Sequence, residues 1–316
     1  AVTTVKEEVV GIETTGQIVK YDLKGNMVWE NTEKSYYYRG VFTVEDGVIV
    51  VSHNGQIVKY DLEGNVSWES AGEFLQITSL TLVKNGIIVI AIKQTSDSVY
   101  SGSSIVKYDL QGNTEWKNEA YYFSKITTIE DGVITASYEG VVKYDLEGNR
   151  VWENTEKSYT YKGVTTVEDG VIAVGNSGQV VKYDLEGKIV WENTEKSYAS
   201  NVGYNGVTTA SDGVIAVGTR GQVVKYDLEG NIVWENTEKS YNYVGVTTVK
   251  DGVIAVGTRG QVVKYDLEGN VVWENTEKSY LYEGVTTVED GVIAVSSRGK
   301  VVKYAEVETS PEVAQT

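Results

Sequence analysis

The chain has no cysteine, one histidine (His53), one proline (Pro311), one methionine and three phenylalanines among its 316 residues. Without cysteine there is no disulfide, no thiolate nucleophile and no cysteine-held zinc. A lone histidine leaves little material for a His-dependent catalytic triad. Positive charge is also scarce: 28 Lys and Arg face 45 Asp and Glu, a formal net charge of −17. A surface of that sign disfavours nucleic acid and anionic membranes as partners. No stretch approaches the roughly 18 apolar residues that a bilayer span needs, so membrane insertion is not expected. The start, "AVTTVKEEVV", has no basic segment leading into an apolar run, so no signal peptide is visible. The tail "ETSPEVAQT" (308–316) lacks hydrophobic alternation and reads as a linker stub.

Repetition is what the chain has in abundance. Tryptophans stand at positions 29, 68, 116, 152, 191, 234 and 273, a period near 40 residues. One unit, "GVTTVEDGVIAVGTRGQVVKYDLEGNVVWEN" (245–275), splits into four runs rich in Val, Ile, Thr and Tyr. Asp251-Gly252, Arg259-Gly260 and Glu268-Gly269-Asn270 punctuate them. Short β-branched runs between Gly and Asp/Asn turns predict strands joined by hairpins, here A (246–250), B (253–257), C (261–267) and D (271–275). A helical reading fails because glycine interrupts the runs every eight to ten residues. Several short strands in each of many 40-residue units predict a β-propeller.

Strand C recurs eight times, marked by Tyr21, Tyr60, Tyr108, Tyr144, Tyr183, Tyr226, Tyr265 and Tyr304, whereas the tryptophan of strand D recurs seven times. The expectation is an all-β, eight-bladed propeller of four-stranded antiparallel blades over residues 1–307. The last blade lacks its outer strand, since Ala305 replaces the aspartate of the other units. The alternative is seven blades with a surplus three-stranded unit. The tryptophans at 152, 191, 234 and 273 are expected to be buried between blades.

"KYDLEGNVVWE" (264–274) resembles the repeat of PQQ-like, quinoprotein-type propellers. In that family an aspartate ending strand C, a glycine turn and a strand-D tryptophan lock neighbouring blades. The family's enzymes hold a quinone with calcium, aromatic sandwiching and often a vicinal cysteine pair. This chain has no cysteine and no acid unique to one blade, so no cofactor, metal or catalysis is expected. "DLEGN" has two acids and an asparagine but not the ligand spacing of a calcium loop, and reads as a turn. "NTEKS", with alternating charge, reads as a solvated link. Asn65-Val66-Ser67 is an isolated glycosylation sequon.

The units disagree mainly at two places. The D-to-A links read "SYYYRG" (35–40), "SYTYKG" (158–163), "SYASNVGYNG" (197–206), "SYNYVG" (240–245) and "SYLYEG" (279–284). The B-to-C turns read "SHNG" (52–55), "SYEG" (137–140), "GNSG" (175–178) and "GTRG" (218–221), and the third unit expands this turn to "KQTSDSVYSGSS" (93–104). Up-and-down strand order puts both on one face, and the near-constant "EDG" and "LEGN" turns on the other. Variation on one face of a rigid scaffold points to recognition. The candidate ligand-binding residues are Tyr37, Tyr38, Arg39, His53, Tyr100, Tyr122, Tyr138, Tyr161, Lys162, Tyr204, Arg220, Tyr243, Arg259, Tyr280, Tyr282 and Arg298. Tyrosines offer wide amphipathic contact with little entropy cost, although one of each pair packing against a neighbouring blade is the competing reading. Links 35–40 and 279–284 are expected side by side. The functional expectation is a noncatalytic binding or scaffold module for a glycan or protein surface. It would be a monomeric domain of a larger extracellular or surface-attached protein, with a cytoplasmic site left open. A purely structural spacer is the second reading, and a divergent quinone enzyme the third.

Overall fold

The computed structural model describes residues 2–5, 8–12, 18–22, 27–33, 38–70, 72, 74, 76–92, 103–120, 123–137, 140–157, 159–196, 203–276, 282–288, 291–296 and 301–305. Glycine turns and β-branched runs set the local structure. In the fifth unit, strand A is Tyr161–Val167, B is Gly170–Gly175, C is Val180–Asp184 and D is Ile189–Asn193. Each pairs antiparallel with the next. The boundaries differ from expectation in one instructive way. In the seventh unit strand A starts at Tyr243 rather than Val246, so the second tyrosine of the D–A link belongs to the sheet.

Among the described residues, seven four-stranded sheets and one three-stranded sheet account for all 31 strands, and there is no helix. The sheets span residues 2–31, 38–69, 76–120, 123–154, 161–193, 204–236, 243–275 and 282–305. Every strand A lies beside the strand A of the next sheet, and that of the first sheet (Val2–Val5) lies beside that of the eighth (Tyr282–Val288). The A strands therefore form an inner ring and the D strands the rim. The strands A that end links 35–40 and 279–284, Tyr38–Val44 and Tyr282–Val288, belong to the second and eighth sheets. Val2–Val5 of the first sheet lies between them, so Gly40 and Gly284 are not side by side. Residues 35–37 and 279–281 lie outside the described residues.

Strand B, "GVIAVG" in several units, is buried along its whole length. Its side chains alternate between the two faces of its sheet, and each face meets a neighbouring sheet. Ile172, Val174 and Val180 of the fifth sheet thus pack with Tyr204, Val214, Ala216, Val224 and Tyr226 of the sixth.

A repeated latch joins successive sheets. Between the fifth and sixth, the indole Nε1 of Trp191 and the ammonium of Lys182 both donate to the Leu228 carbonyl, at 2.7 and 3.4 Å. The Asn193 amide donates to the Gly230 carbonyl at 2.9 Å. Lys182 also pairs with Asp169 of its own A–B turn at 2.8 Å. A side chain on Gly230 would meet Trp191 at 2.6 Å, and its φ is +89°, so only glycine fits there. The tryptophans at 152, 191, 234 and 273 are half-buried rather than buried. The turn glycines Gly187, Gly230 and Gly269 of the next sheets lie against Trp152, Trp191 and Trp234.

At the eighth sheet the latch fails. Trp273 stacks on Tyr304 with ring centroids 6.1 Å apart, yet its Nε1 is buried with no hydrogen-bond partner. Strand C ends there at Ala305, without the Asp-Leu-Glu-Gly turn that supplies the acceptor elsewhere.

Candidate functional site

Hydrogen bonds join the B–C turns to the D–A links. Asn176, Thr219 and Thr258 donate backbone N–H groups to the carbonyls of Thr160, Gly203 and Asn242 at 3.0 to 3.1 Å. Between the second and third sheets Phe74 N–H donates to the Asn54 carbonyl at 3.2 Å, and Ile77 N–H of the third sheet's strand A to the His53 carbonyl at 2.7 Å. The two variable connections thus form one surface. On the other side of the wheel, Lys59, Lys143, Lys182, Lys225 and Lys264 reach from strand C to the A–B aspartates Asp46, Asp131, Asp169, Asp212 and Asp251.

The three candidate tyrosines whose side chains are described are structural. Tyr161, Tyr204 and Tyr243 have 0% exposure and are removed from the candidate surface. Their hydroxyls pair at 2.7 Å with those of Tyr183, Tyr226 and Tyr265. Burial pushes the Tyr183 and Tyr265 hydroxyls up to about 12 and raises Tyr161 and Tyr243 further. The sequence carried a sign of this. Tyr-x-Gly keeps its spacing at Tyr161, Tyr204 and Tyr243 even where the link before Tyr204 is lengthened, as a strand residue must.

The first tyrosine of a link also has a partner across the sheet junction. Tyr159 and Tyr241 donate to Glu192 and Glu274 of the following sheet. Lys157, Lys196 and Lys239 pair with Glu192, Glu235 and Glu274 at 2.5 Å. "NTEKSY" is therefore an inter-sheet clasp rather than a solvated link. Burial works against the charge on Glu192, but Lys157 and Tyr159 outweigh it and hold the carboxyl below its ordinary range. At Glu274 the bond from Lys239 leads the same effect.

What is left open on this face is small and polar. Arg220 and Arg259 are exposed, and His53 and Lys162 are half-buried. Tyr38, Arg39 and Tyr282 lie by their backbones at the starts of strands A of the second and eighth sheets. Tyr37, Tyr100, Tyr122, Tyr138, Tyr280 and Arg298 lie outside the described residues. A depression of about 360 Å³ sits between the sixth and seventh sheets, lined by Thr219, Ser240, Tyr241, Asn242, Thr258, Arg259 and Gln261. Of these, the candidate residues had included only Arg259, although Thr219, Ser240, Tyr241 and Asn242 lie in connections the sequence marked as variable. That these connections close around one depression is seen only in the fold. Among the described residues no cluster of three His, Cys, Asp or Glu could hold a metal.

The family model described as outer membrane protein assembly factor BamB, of PQQ-like repeats, matches residues 2–137 and 137–313. The chain belongs to this BamB-type, PQQ-like propeller family. Its likeness to solved members and neighbours lies in the fold. BamB from Moraxella catarrhalis is 19% identical with a TM-score of 0.78, over 98% of this chain and 94% of that one. The computationally designed protein Ika8 is 14% identical with a TM-score of 0.81, over 96% and 95%. The C-terminal WD40 domain of Sif2 is 9% identical with a TM-score of 0.78, over 95% and 93%. No curated protein matches the chain. As in other propellers, the sheets are blades around a central axis.

Proposed function

We propose that the chain is a noncatalytic docking wheel, an eight-bladed propeller that holds a protein partner on the face built from D–A links and B–C turns. The observation that carries this reading is the hydrogen-bonded union of those connections above a ring latched from blade to blade. Loops that vary while their scaffold is fixed are where recognition residues sit. Eight blades are supported by the eight sheets and by the contact of the first inner strand with the last. The family description concerns outer-membrane protein assembly, and on that ground we place the chain in the cell envelope. No helix among the described residues is long and apolar enough to cross a membrane. A glycan is the less favoured ligand, because Tyr161, Tyr204 and Tyr243, three of the tyrosines expected to stack on sugar rings, are buried.

The test is site-specific photo-crosslinking in cells that make the protein. A photoreactive residue replaces Asn242 on the docking face or Glu268 on the opposite turn. Protein adducts concentrated at position 242 are expected. Equal adducts at both positions, or none at 242, would overturn the reading.

A further inference from the structure

The loop face carries an arginine at one position in successive units, and hairpin folding does not require it. The B–C turn reads His53-Asn54, Tyr138-Glu139 and Asn176-Ser177 in the second, fourth and fifth units. In the sixth to eighth it reads Thr219-Arg220, Thr258-Arg259 and Ser297-Arg298. Arg298 lies outside the described residues. The sequence around these turns is almost copied from unit to unit, and the turn closes equally well on Asn54 or Ser177. Arginine there serves something other than the hairpin.

Arg220 and Arg259 are exposed, and neither guanidinium has an acidic partner among the described residues. The lysines of the D–A links behave differently: Lys157, Lys196 and Lys239 are each held by a glutamate. The arginine backbones are fixed. Arg220 N–H donates to the Gln222 side chain at 2.9 Å and Arg259 N–H to that of Gln261 at 3.0 Å. The glycines that follow, Gly221 and Gly260, hold φ values of 80° and 86°. Two guanidiniums therefore stand on rigid turns one blade apart, in a chain whose formal net charge is −17. On the opposite face Glu130, Asp131, Glu168 and Glu186 line a depression between the fourth and fifth sheets together with Lys143, which pairs with Asp131.

Arg259 also borders the depression between the sixth and seventh sheets. Asn242 presents an exposed amide whose oxygen accepts from Asn205 at 3.1 Å.

We infer that this arc takes an acidic peptide segment of the docked protein, its carboxylates pairing with Arg220 and Arg259 and its polar backbone meeting the depression between them. Guanidinium forks match carboxylates in bidentate geometry, and such bonds are among the stronger polar contacts. The inference rests on the docking-face reading and narrows it to the partner's chemistry. A uronate-bearing glycan offers the same carboxylates, but sugar rings want an exposed aromatic platform. Here Tyr204 and Tyr243 are buried, and the Tyr241 hydroxyl is held by Glu274. Glu238 is exposed on the same link, which selects for acids spaced by neutral residues over an unbroken acidic run.

The test is fluorescence anisotropy of a short dye-labelled peptide of alternating Glu and Ser, titrated with the full chain. Saturable binding is expected, weakened roughly tenfold or more by Arg220→Gln with Arg259→Gln. Lys250→Gln removes one positive charge from the exposed turn on the opposite face and should leave binding unchanged. Arg259→Lys should bind between wild type and Arg259→Gln. No saturable binding, or equal loss in Lys250→Gln, would overturn the inference, as would an oligogalacturonate displacing the peptide at lower concentration than unlabelled peptide. If adducts at position 242 persist while the peptide fails to bind, the docking face stands and the acidic partner falls.

Discussion

Trp234 and Trp273 occupy the same place in successive units, yet only the first finds an acceptor. Trp234 donates to the Leu267 carbonyl at 2.8 Å, while the Trp273 Nε1 is buried without one. Phenylalanine keeps most of the apolar contact and removes the N–H. Trp234→Phe is therefore expected to cost about 1 kcal/mol more than Trp273→Phe, the net worth of one hydrogen bond. Denaturant midpoints of the two variants check this, and equal losses would contradict it. The buried tyrosine pairs give a second residue-level expectation. Tyr265 is pushed up to about 12 by burial, well above an ordinary phenol near 10. A raised folded pKa means that stability is whole below the unfolded value and drains away as pH climbs from about 10 toward about 12. Tyrosinate absorbance of the paired rings should thus appear with unfolding and not before it. Tyr265→Phe leaves the buried Tyr243 hydroxyl unpaired and should cost about 1–3 kcal/mol at neutral pH.

At the scale of elements, the C–D turn and the D–A link explain why the same letters recur. In the sixth unit the Asp227 carboxylate accepts the Asn231 N–H at 2.7 Å and the Asn231 amide at 2.9 Å. Burial opposes the charge, but these bonds prevail and lower the Asp227 pKa, as at Asp109 and Asp266. A lowered folded pKa means that the stabilisation is complete above the ordinary carboxylate range and is lost as pH falls through the folded value. Asp227→Asn should flatten the loss of stability below about pH 4, measured as denaturation midpoint against pH. An unchanged acid limb would show that this turn carries no linkage. These elements also mark how much the sequence told. Strand order, the glycine turns and the grouping of variable connections on one face follow from period-two runs between Gly and Asp/Asn, which are local signals. The role of "NTEKSY" was not legible, because Lys239 meets Glu274 only across a sheet junction 35 residues on. The depression beside Arg259 was hidden for the same reason, since Thr219, Ser240 and Thr258 come from separate connections.

Across the whole molecule the latch gives the ring a weak point. From the first sheet to the seventh, Trp29, Trp68, Trp116, Trp152, Trp191 and Trp234 each donate to a leucine carbonyl of the following sheet, at 2.7 to 3.0 Å. The seventh junction keeps the stacked indole and loses the hydrogen bond. The eighth sheet has no strand D among the described residues, so the junction back to the first sheet has no tryptophan latch there. Among the described residues, the inner strand Val2–Val5 lies beside Tyr282–Val288 and Gly291–Ser296 at this junction. In a repeat array each unit draws its stability from its own fold and its two interfaces, so units flanking a weak interface open first. Local opening is then expected at the first and eighth sheets, below the free energy of global unfolding. Amide hydrogen exchange read by peptide mass spectrometry should show 282–305 and 2–31 exchanging faster than 161–193 and 204–236. Changing Trp191 to alanine should extend the fast-exchanging region into the fifth and sixth sheets, because it cuts one of the complete latches. Uniform protection around the ring, or fastest exchange in the central sheets, would show that the indole latch does not set the order of opening.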